Sequence, residues 1–240
     1  MRTDITQITV MTLVFVLVTL VVACGGTPES TPTPANIPVP IVTLVPNLTA
    51  DEYLLRGNNY FDSGDYDKAI QDFDEAIRLD PQYAKAYYRR GITYGSLDQY
   101  ERTIEDFNAA IRLNPQDYGA YSYRGLAYWY LGQYEQAIQD FDEAIRLDPQ
   151  HAKVYYDRAL VHESMGQYER AIQDFNEAIQ LNPQYTDAYY RRGITYGSLG
   201  QYERAVRDFE EVIQFDPQND RAYSYRGAMY GELGQYERAI

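Results

Sequence analysis

Pro81, Pro115, Pro149, Pro183 and Pro217 stand 34 residues apart, and the same text returns around each. Tyr134–Pro149 reads YEQAIQDFDEAIRLDP, Tyr168–Pro183 reads YERAIQDFNEAIQLNP, and Tyr202–Pro217 reads YERAVRDFEEVIQFDP. A fixed period of this size leaves a chain few options. Each unit is too small to bury its apolar face alone and must stack on its neighbours. With each proline at unit position 32, the units are Ala50–Tyr83, Ala84–Asp117, Tyr118–His151, Ala152–Tyr185 and Thr186–Asn219, with an incomplete sixth over Asp220–Ile240.

Within a unit, two runs of helical apolar periodicity flank a central glycine. In the fifth unit this predicts helix A over about Asp187–Ser198 and helix B over about Glu203–Phe215. Gly200 supplies the left-handed residue that ends helix A. Pro217 cannot continue helix B and forces Asp216 out of helical space. Gly57, Gly91, Gly125, Gly193 and Gly227 recur inside helix A, where glycine costs about 1 kcal/mol relative to alanine. Such repetition implies a close approach, with Ala69, Ala137, Ala171, Ala205 and Ala239 of helix B expected opposite. Three tyrosine rows, headed by Tyr53, Tyr60 and Tyr66, and the row Phe73, Phe107, Phe141, Phe175 and Phe209 fill the flanking space. The arginine before each glycine is expected to pair with Asp72, Asp106, Asp140, Asp174 or Asp208 as exposed ion pairs contributing about 0–1 kcal/mol. Carboxylates such as Asp140, Asp142 and Glu143 read as a solvated outer face of helix B rather than as a paired acid and base.

The pattern of aromatic, Gly, Tyr, Ala, Phe, Ala and Pro resembles the tetratricopeptide repeat across Ala50–Ile240. The resemblance implies an all-α fold, an α-solenoid in which antiparallel helix pairs form a right-handed superhelix. Helix A would line a concave groove that binds peptides or partner proteins. The chain departs from the family at several points. Tyr replaces the usual Trp, Arg replaces the usual Leu before the glycine, and Asp98 stands at the turn glycine of unit two. Unit four has Ala159 for Gly and His162 for Tyr, so altered packing is expected there.

Of 26 tyrosines, eight outside the frame fall at groove positions: Tyr83, Tyr88, Tyr123, Tyr130, Tyr156, Tyr185, Tyr190 and Tyr225. Asn58, Arg89, Trp129 and Arg191 join them. Rigid rings with a polar tip, interleaved with arginine, suit recognition of an extended peptide. The carboxylate clamp of chaperone-tail-binding relatives is not expected. Asn58 matches one of its positions, but Leu54, Gly119 and Tyr123 occupy the others. Two histidines, His151 and His162, lack the paired spacing of a zinc site. The expectation is a non-catalytic scaffold with no cofactor, no metal and a protein or peptide partner.

A formal charge of −14 argues against a nucleic-acid partner, which would need a basic footprint. The single cysteine, Cys24, follows the apolar run Ile8–Ala23, which is short for a spanning helix and fits the core of a secretory signal. The junction Val21-Val22-Ala23-Cys24 resembles a bacterial lipobox. This implies removal of residues 1–23, lipidation of Cys24, and a cell-envelope location outside a membrane. The stretch 24–49 carries six of the eleven prolines and reads as a disordered tether. The alternatives are an uncleaved signal anchor, and a truncated interaction module of a longer enzyme or signalling protein whose further domain lies beyond Ile240. A role in envelope or pilus assembly is the expectation drawn from tetratricopeptide lipoproteins of this layout.

Overall fold

Each unit folds as a helical hairpin because a left-handed residue separates two helix-forming runs and a proline follows the second. The computed structural model describes residues 48–238. The expected signal segment, Cys24 and nearly all of the expected proline-rich tether fall outside these residues, as do Ala239 and Ile240. The described residues form α1 (Ala50–Asp62), α2 (Tyr66–Leu79), α3 (Ala84–Ser96), α4 (Tyr100–Leu113), α5 (Tyr118–Tyr130) and α6 (Tyr134–Leu147). They continue with α7 (Ala152–Ser164), α8 (Tyr168–Leu181), α9 (Thr186–Ser198), α10 (Tyr202–Phe215) and α11 (Asp220–Glu232), then a short 3-10 turn at Tyr236–Arg238. No strand occurs among them. The architecture is an α-solenoid of consecutive antiparallel pairs, as the repeat pattern implies.

Thr49 opens α1 with a capping box: its hydroxyl accepts from the Glu52 amide, and the Glu52 carboxylate accepts from the Thr49 amide. Gly64, Gly132, Gly166, Gly200 and Gly234 end odd-numbered helices at φ of 80°, 72°, 70°, 70° and 71°. Asp98 takes the same place in unit two at φ 57°, a conformation that a side chain disfavours by roughly 1–2 kcal/mol. Each even-numbered helix stops at an extended residue before the proline, such as Asp216 at φ −132° and ψ 85°.

Every even-numbered helix lies between its own odd-numbered partner and the next one. The five phenylalanines Phe73, Phe107, Phe141, Phe175 and Phe209 are fully buried at the centre of these contacts. They fill the glycine notches, which corrects the expectation that alanines sit directly opposite. A Cβ on Gly57 would lie 2.6 Å from Phe73 Cε1, and one on Gly193 would lie 3.0 Å from Phe209 Cζ. Ala69, Ala137, Ala171 and Ala205 are buried beside the rings. In unit four Ala159 occupies the notch and shares a buried cluster with Phe175.

A second correction concerns charge. Asp140 is buried, not part of a solvated face, and so are Asp72, Asp106, Asp174 and Asp208. Each accepts two bonds from the arginine before the notch: Arg124 Nε and Nη2 reach Asp140 at 2.8 and 2.6 Å. In units two to five the remaining nitrogen crosses to the preceding unit. Arg90 Nη1 donates to Asp74 at 2.5 Å, Arg124 to Asn108 at 2.6 Å, Arg158 to Asp142 at 2.5 Å and Arg192 to Asn176 at 2.6 Å. The guanidinium also lies against tyrosine rings, with Arg90 5.7 Å from Tyr87 and 5.9 Å from Tyr94. Burial opposes the charge on Arg90, yet its bonds to Asp106 and Asp74 hold the guanidinium above its ordinary range. These are internal staples between units, in a regime where losing one partner costs several kcal/mol.

In unit four His162 takes the place of a frame tyrosine and is buried. Gln167 Oε1 lies 3.0 Å from its Nδ1, and Asp174 Oδ2 lies 3.7 Å from its Nε2. Burial pushes its pKa down, with Asp174 pulling the other way. The altered packing expected of this unit is thus confined to side chains: α7 and α8 keep the lengths of their counterparts.

Candidate functional site

The odd-numbered helices form one layer, in which α1 touches α3, α3 touches α5, α5 touches α7 and α9 touches α11. Residues one helical turn apart along this layer share a face, and the tyrosines singled out from the sequence meet there in three clusters. In the first, Tyr88 packs edge-on against Phe107 and Tyr123, and Tyr123 lies nearly parallel to Phe107 with centroids 5.7 Å apart. The second repeats it 102 residues later. Tyr190 meets Phe209 and Tyr225 edge-on, and Tyr225 stacks on Phe209 at 5.6 Å. In the third, Tyr156 lies 5.8 Å from Phe175 and 5.1 Å from Tyr185.

These rings divide by exposure. Tyr123, Tyr130 and Tyr225 remain 40%, 60% and 41% exposed and so are open to solvent. Tyr88, Tyr156, Tyr185 and Tyr190 are half-buried supports. Burial raises the phenols of Tyr88 and Tyr185 well above the ordinary tyrosine range, so both hydroxyls stay protonated. Tyr130 stacks on Tyr100, a frame residue, with centroids 4.7 Å apart and planes 7° apart. Its neighbour Trp129 reaches into the buried clusters on either side and donates from Nε1 to Ser164 Oγ at 3.0 Å.

The remaining residues expected in the groove tie adjacent helices together. Arg89 Nε donates to Asn58 Oδ1 at 2.5 Å, and its guanidinium lies 5.2 Å from the Phe61 ring. Arg191 Nη1 is 3.8 Å from Glu163 Oε2 and its side chain is 43% exposed. Glu163 also accepts from Thr195 Oγ1 at 2.5 Å, and burial raises its carboxyl above the usual range. Tyr83 stands apart from the clusters and donates its hydroxyl to Asp51.

Sequence reasoning missed Phe107 and Phe209 as walls of this face, because the same row also fills the core. It rejected Gly193-x-x-x-Gly197-x-x-Gly200 as a phosphate loop but did not mark Gly95 or Gly197 as inner-layer positions. The available signal was local: their unit position carries Phe61, Trp129 and Glu163 in other units. Among the described residues no group of three His, Cys, Asp or Glu side chains is placed to hold a metal ion. No described helix is long and apolar enough to cross a membrane.

A solenoid of helical hairpins with an aromatic inner layer defines a repeat-type interaction protein. The chain belongs to the tetratricopeptide repeat family: family models described as TPR or tetratricopeptide repeats match residues 57–98, 84–117, 123–186, 186–219 and 209–240. None of the curated proteins matches the sequence. Among solved structures, MamA is 26% identical over 69% of this chain and 96% of its own, with a TM-score of 0.64. YrrB, described as "a TPR protein with an unusual peptide-binding site", is 24% identical over 70% and 87% of the two chains, with a TM-score of 0.60. PilW, described as a "widely conserved type IV pilus biogenesis factor", is 18% identical over 79% and 88%, with a TM-score of 0.71. At these identities YrrB and PilW show a shared fold.

Proposed function

We propose that this protein is a non-catalytic scaffold whose inner helical layer captures an extended segment of a partner protein. The observation that carries the reading is the pair of ring stacks, Phe107–Tyr123 and Phe209–Tyr225, which hold solvent-facing tyrosines rigidly at equivalent places. A rigid ring loses little conformational entropy on binding and offers a large contact area with a hydroxyl at its tip. The family is a protein-interaction module, and the peptide-binding site described for YrrB supports the same use here.

The array is held outside a bacterial membrane by lipid on Cys24, with residues 25–49 as its tether. The support is in the sequence: an apolar run ending in Val-Val-Ala before the single cysteine. Envelope or pilus assembly is the process this layout fits, and the fold shared with PilW is compatible with it. The binding claim is tested by Tyr123→Ala, Tyr130→Ala and Tyr225→Ala together, with partner capture and thermal unfolding measured side by side. Capture falls at least about tenfold with the fold retained, as expected when aromatic anchors are truncated; undiminished capture refutes it. Metabolic labelling with a fatty acid, compared with Cys24→Ser, tests the anchor, and equal labelling of both would exclude it.

A further inference from the structure

The junction of units four and five carries a recess whose chemistry differs from that of its neighbours. Among the inner helices, α7 and α9 are the neighbours that touch least. A recess of about 290 Å³ opens between them, lined by Trp129, Leu160, Glu163, Ser164, Arg191 and Ile194 among others. The recesses beside Gly95 and Gly197 have no charged side chain in their linings. This one has two, of opposite sign. The difference arises because Glu163 stands in the register that carries Phe61, Gly95, Trp129 and Gly197 in other units.

Most polar atoms of the recess are already paired. Ser164 Oγ donates to the Leu160 carbonyl at 2.9 Å and accepts from Trp129 Nε1 at 3.0 Å. Ser198 Oγ donates to the Ile194 carbonyl at 3.1 Å. Glu163 Oε1 takes the Thr195 hydroxyl at 2.5 Å. Its Oε2 has only Arg191 Nη1 at 3.8 Å, beyond hydrogen-bond range. Burial raises the Glu163 carboxyl even against Thr195 and Arg191, so these partners do not fully replace the hydration it has lost. Arg89, the counterpart of Arg191 in unit two, is closed onto Asn58 Oδ1 at 2.5 Å. Arg191 holds Glu163 only loosely, and its guanidinium carries five N–H donors. An acceptor and a donor group therefore stand side by side, each short of a partner.

Their charges select the occupant. A carboxylate would be repelled by Glu163, and a lysine or arginine by Arg191. An alkyl chain would cover both groups without bonding either, at about 1–3 kcal/mol for each polar group left unpaired. A carboxamide offers an N–H donor and a carbonyl acceptor on one flat, neutral group. Leu160 and Ile194 supply apolar surface for the methylenes behind it, and the indole of Trp129, held by Ser164, supplies a flat wall. We propose that this recess is a specificity pocket for a glutamine side chain of the extended partner segment, with its N–H on Glu163 Oε2 and its carbonyl on Arg191. This rests on the groove reading above and goes beyond it by naming a residue the segment carries and where along the array it sits.

Trp129 is the single tryptophan of the chain, so its indole resonance and fluorescence report on this recess. The full chain is titrated with the N-acetyl methylamides of glutamine, glutamate, lysine and norleucine, which share their backbone amides and differ in the side chain. The glutamine probe shifts the Trp129 signals saturably and binds at least about tenfold more tightly than the other three, because only it pairs both groups. Glu163→Gln leaves Arg191 unbalanced and moves the preference to the glutamate probe. Arg191→Gln leaves Glu163 unbalanced and moves it to the lysine probe; either variant suffices should the other lose its helical circular dichroism. Equal response to all four probes, saturable response to none, or an unchanged preference in both variants overturns the proposal. Tyr123, Tyr130 and Tyr225 do not line this recess, so the two readings fail separately. Partner capture that needs those tyrosines but ignores Glu163→Gln and Arg191→Gln removes the pocket and keeps the groove. Glutamine-selective probe binding, with capture undiminished in the triple tyrosine variant, keeps the pocket and removes the groove reading.

Discussion

Replacing Asp140 by Asn should destabilise the protein more than the same change at Asp106, although the two aspartates are equally buried. Both accept two bonds from an arginine, at 2.8 and 2.6 Å in each case. Arg90 and Arg124 are also alike, 19% and 18% exposed. The difference lies in the third contact. Arg90 retains the carboxylate of Asp74 at 2.5 Å, whereas Arg124 retains only the neutral Asn108 at 2.6 Å. Breaking a buried ion pair costs about 3–5 kcal/mol because the surviving charge is left without a counter-ion. That applies to Asp140→Asn, at the lower end because Arg124 is partly solvated. In Asp106→Asn the surviving bond to Asp74 is charge-assisted and offsets about 1–2 kcal/mol of the loss. Urea unfolding followed by circular dichroism should give losses of about 3 and about 1.5 kcal/mol, respectively. Asp74→Asn combined with Asp106→Asn should then approach Asp140→Asn. Equal losses for the two single variants, or losses below about 0.5 kcal/mol as at exposed pairs, would refute the view of these arginines as inter-unit staples.

Three further outcomes follow from the same geometry. Asp98→Gly should raise stability by about 0.5–1 kcal/mol, because it relieves the left-handed backbone at φ 57° while loosening the unfolded chain; a lower melting temperature would contradict this. Gly57→Ala should destabilise by about 1–3 kcal/mol, since its Cβ falls 2.6 Å from Phe73. Gly95→Ala should instead be neutral or stabilising by up to about 1 kcal/mol, its nearest neighbour being 3.6 Å away, and thermal melts of the pair would expose an inverted order. Finally, His162 has a folded pKa below its unfolded value of about 6.5, so the unfolded state binds the extra proton. Stability is therefore lost as pH falls through about 6.5, and His162→Tyr should abolish that part of the pH dependence. A variant with an unchanged profile between about pH 5 and 7 would exclude the histidine as its source.

The hairpin fold was legible because proline and glycine act on the backbone locally, and their period exposes the unit. Gly200 and Pro217 delimit helices A and B to within a residue of the observed α9 and α10. The tyrosines of the inner layer were legible for a related reason, since unit position fixes helix face. What the sequence concealed is what depends on distance across units. The pairing of Arg124 with Asp140 was legible from its recurrence, but the burial of Asp140 and the third bond from Arg124 to Asn108 of the preceding unit were not. Phe107 does two tasks with one ring, filling the notch at Gly91 and backing Tyr123, and a repeating letter cannot reveal the second. The recess lined by Ile92, Gly95, Phe107, Tyr123 and Tyr130 opens where a side chain is absent, which no single letter of the sequence displays.

The most direct test places a photoreactive amino acid at Tyr123, Tyr130 or Tyr225 on the inner layer, and at Glu101, Gln139 or Glu169 on exposed surfaces of the even-numbered helices. Irradiation of the full chain in its native host should join one partner polypeptide to the inner positions alone. Adducts formed only from the even-numbered helices would show that the aromatic layer is not where this protein meets its partner.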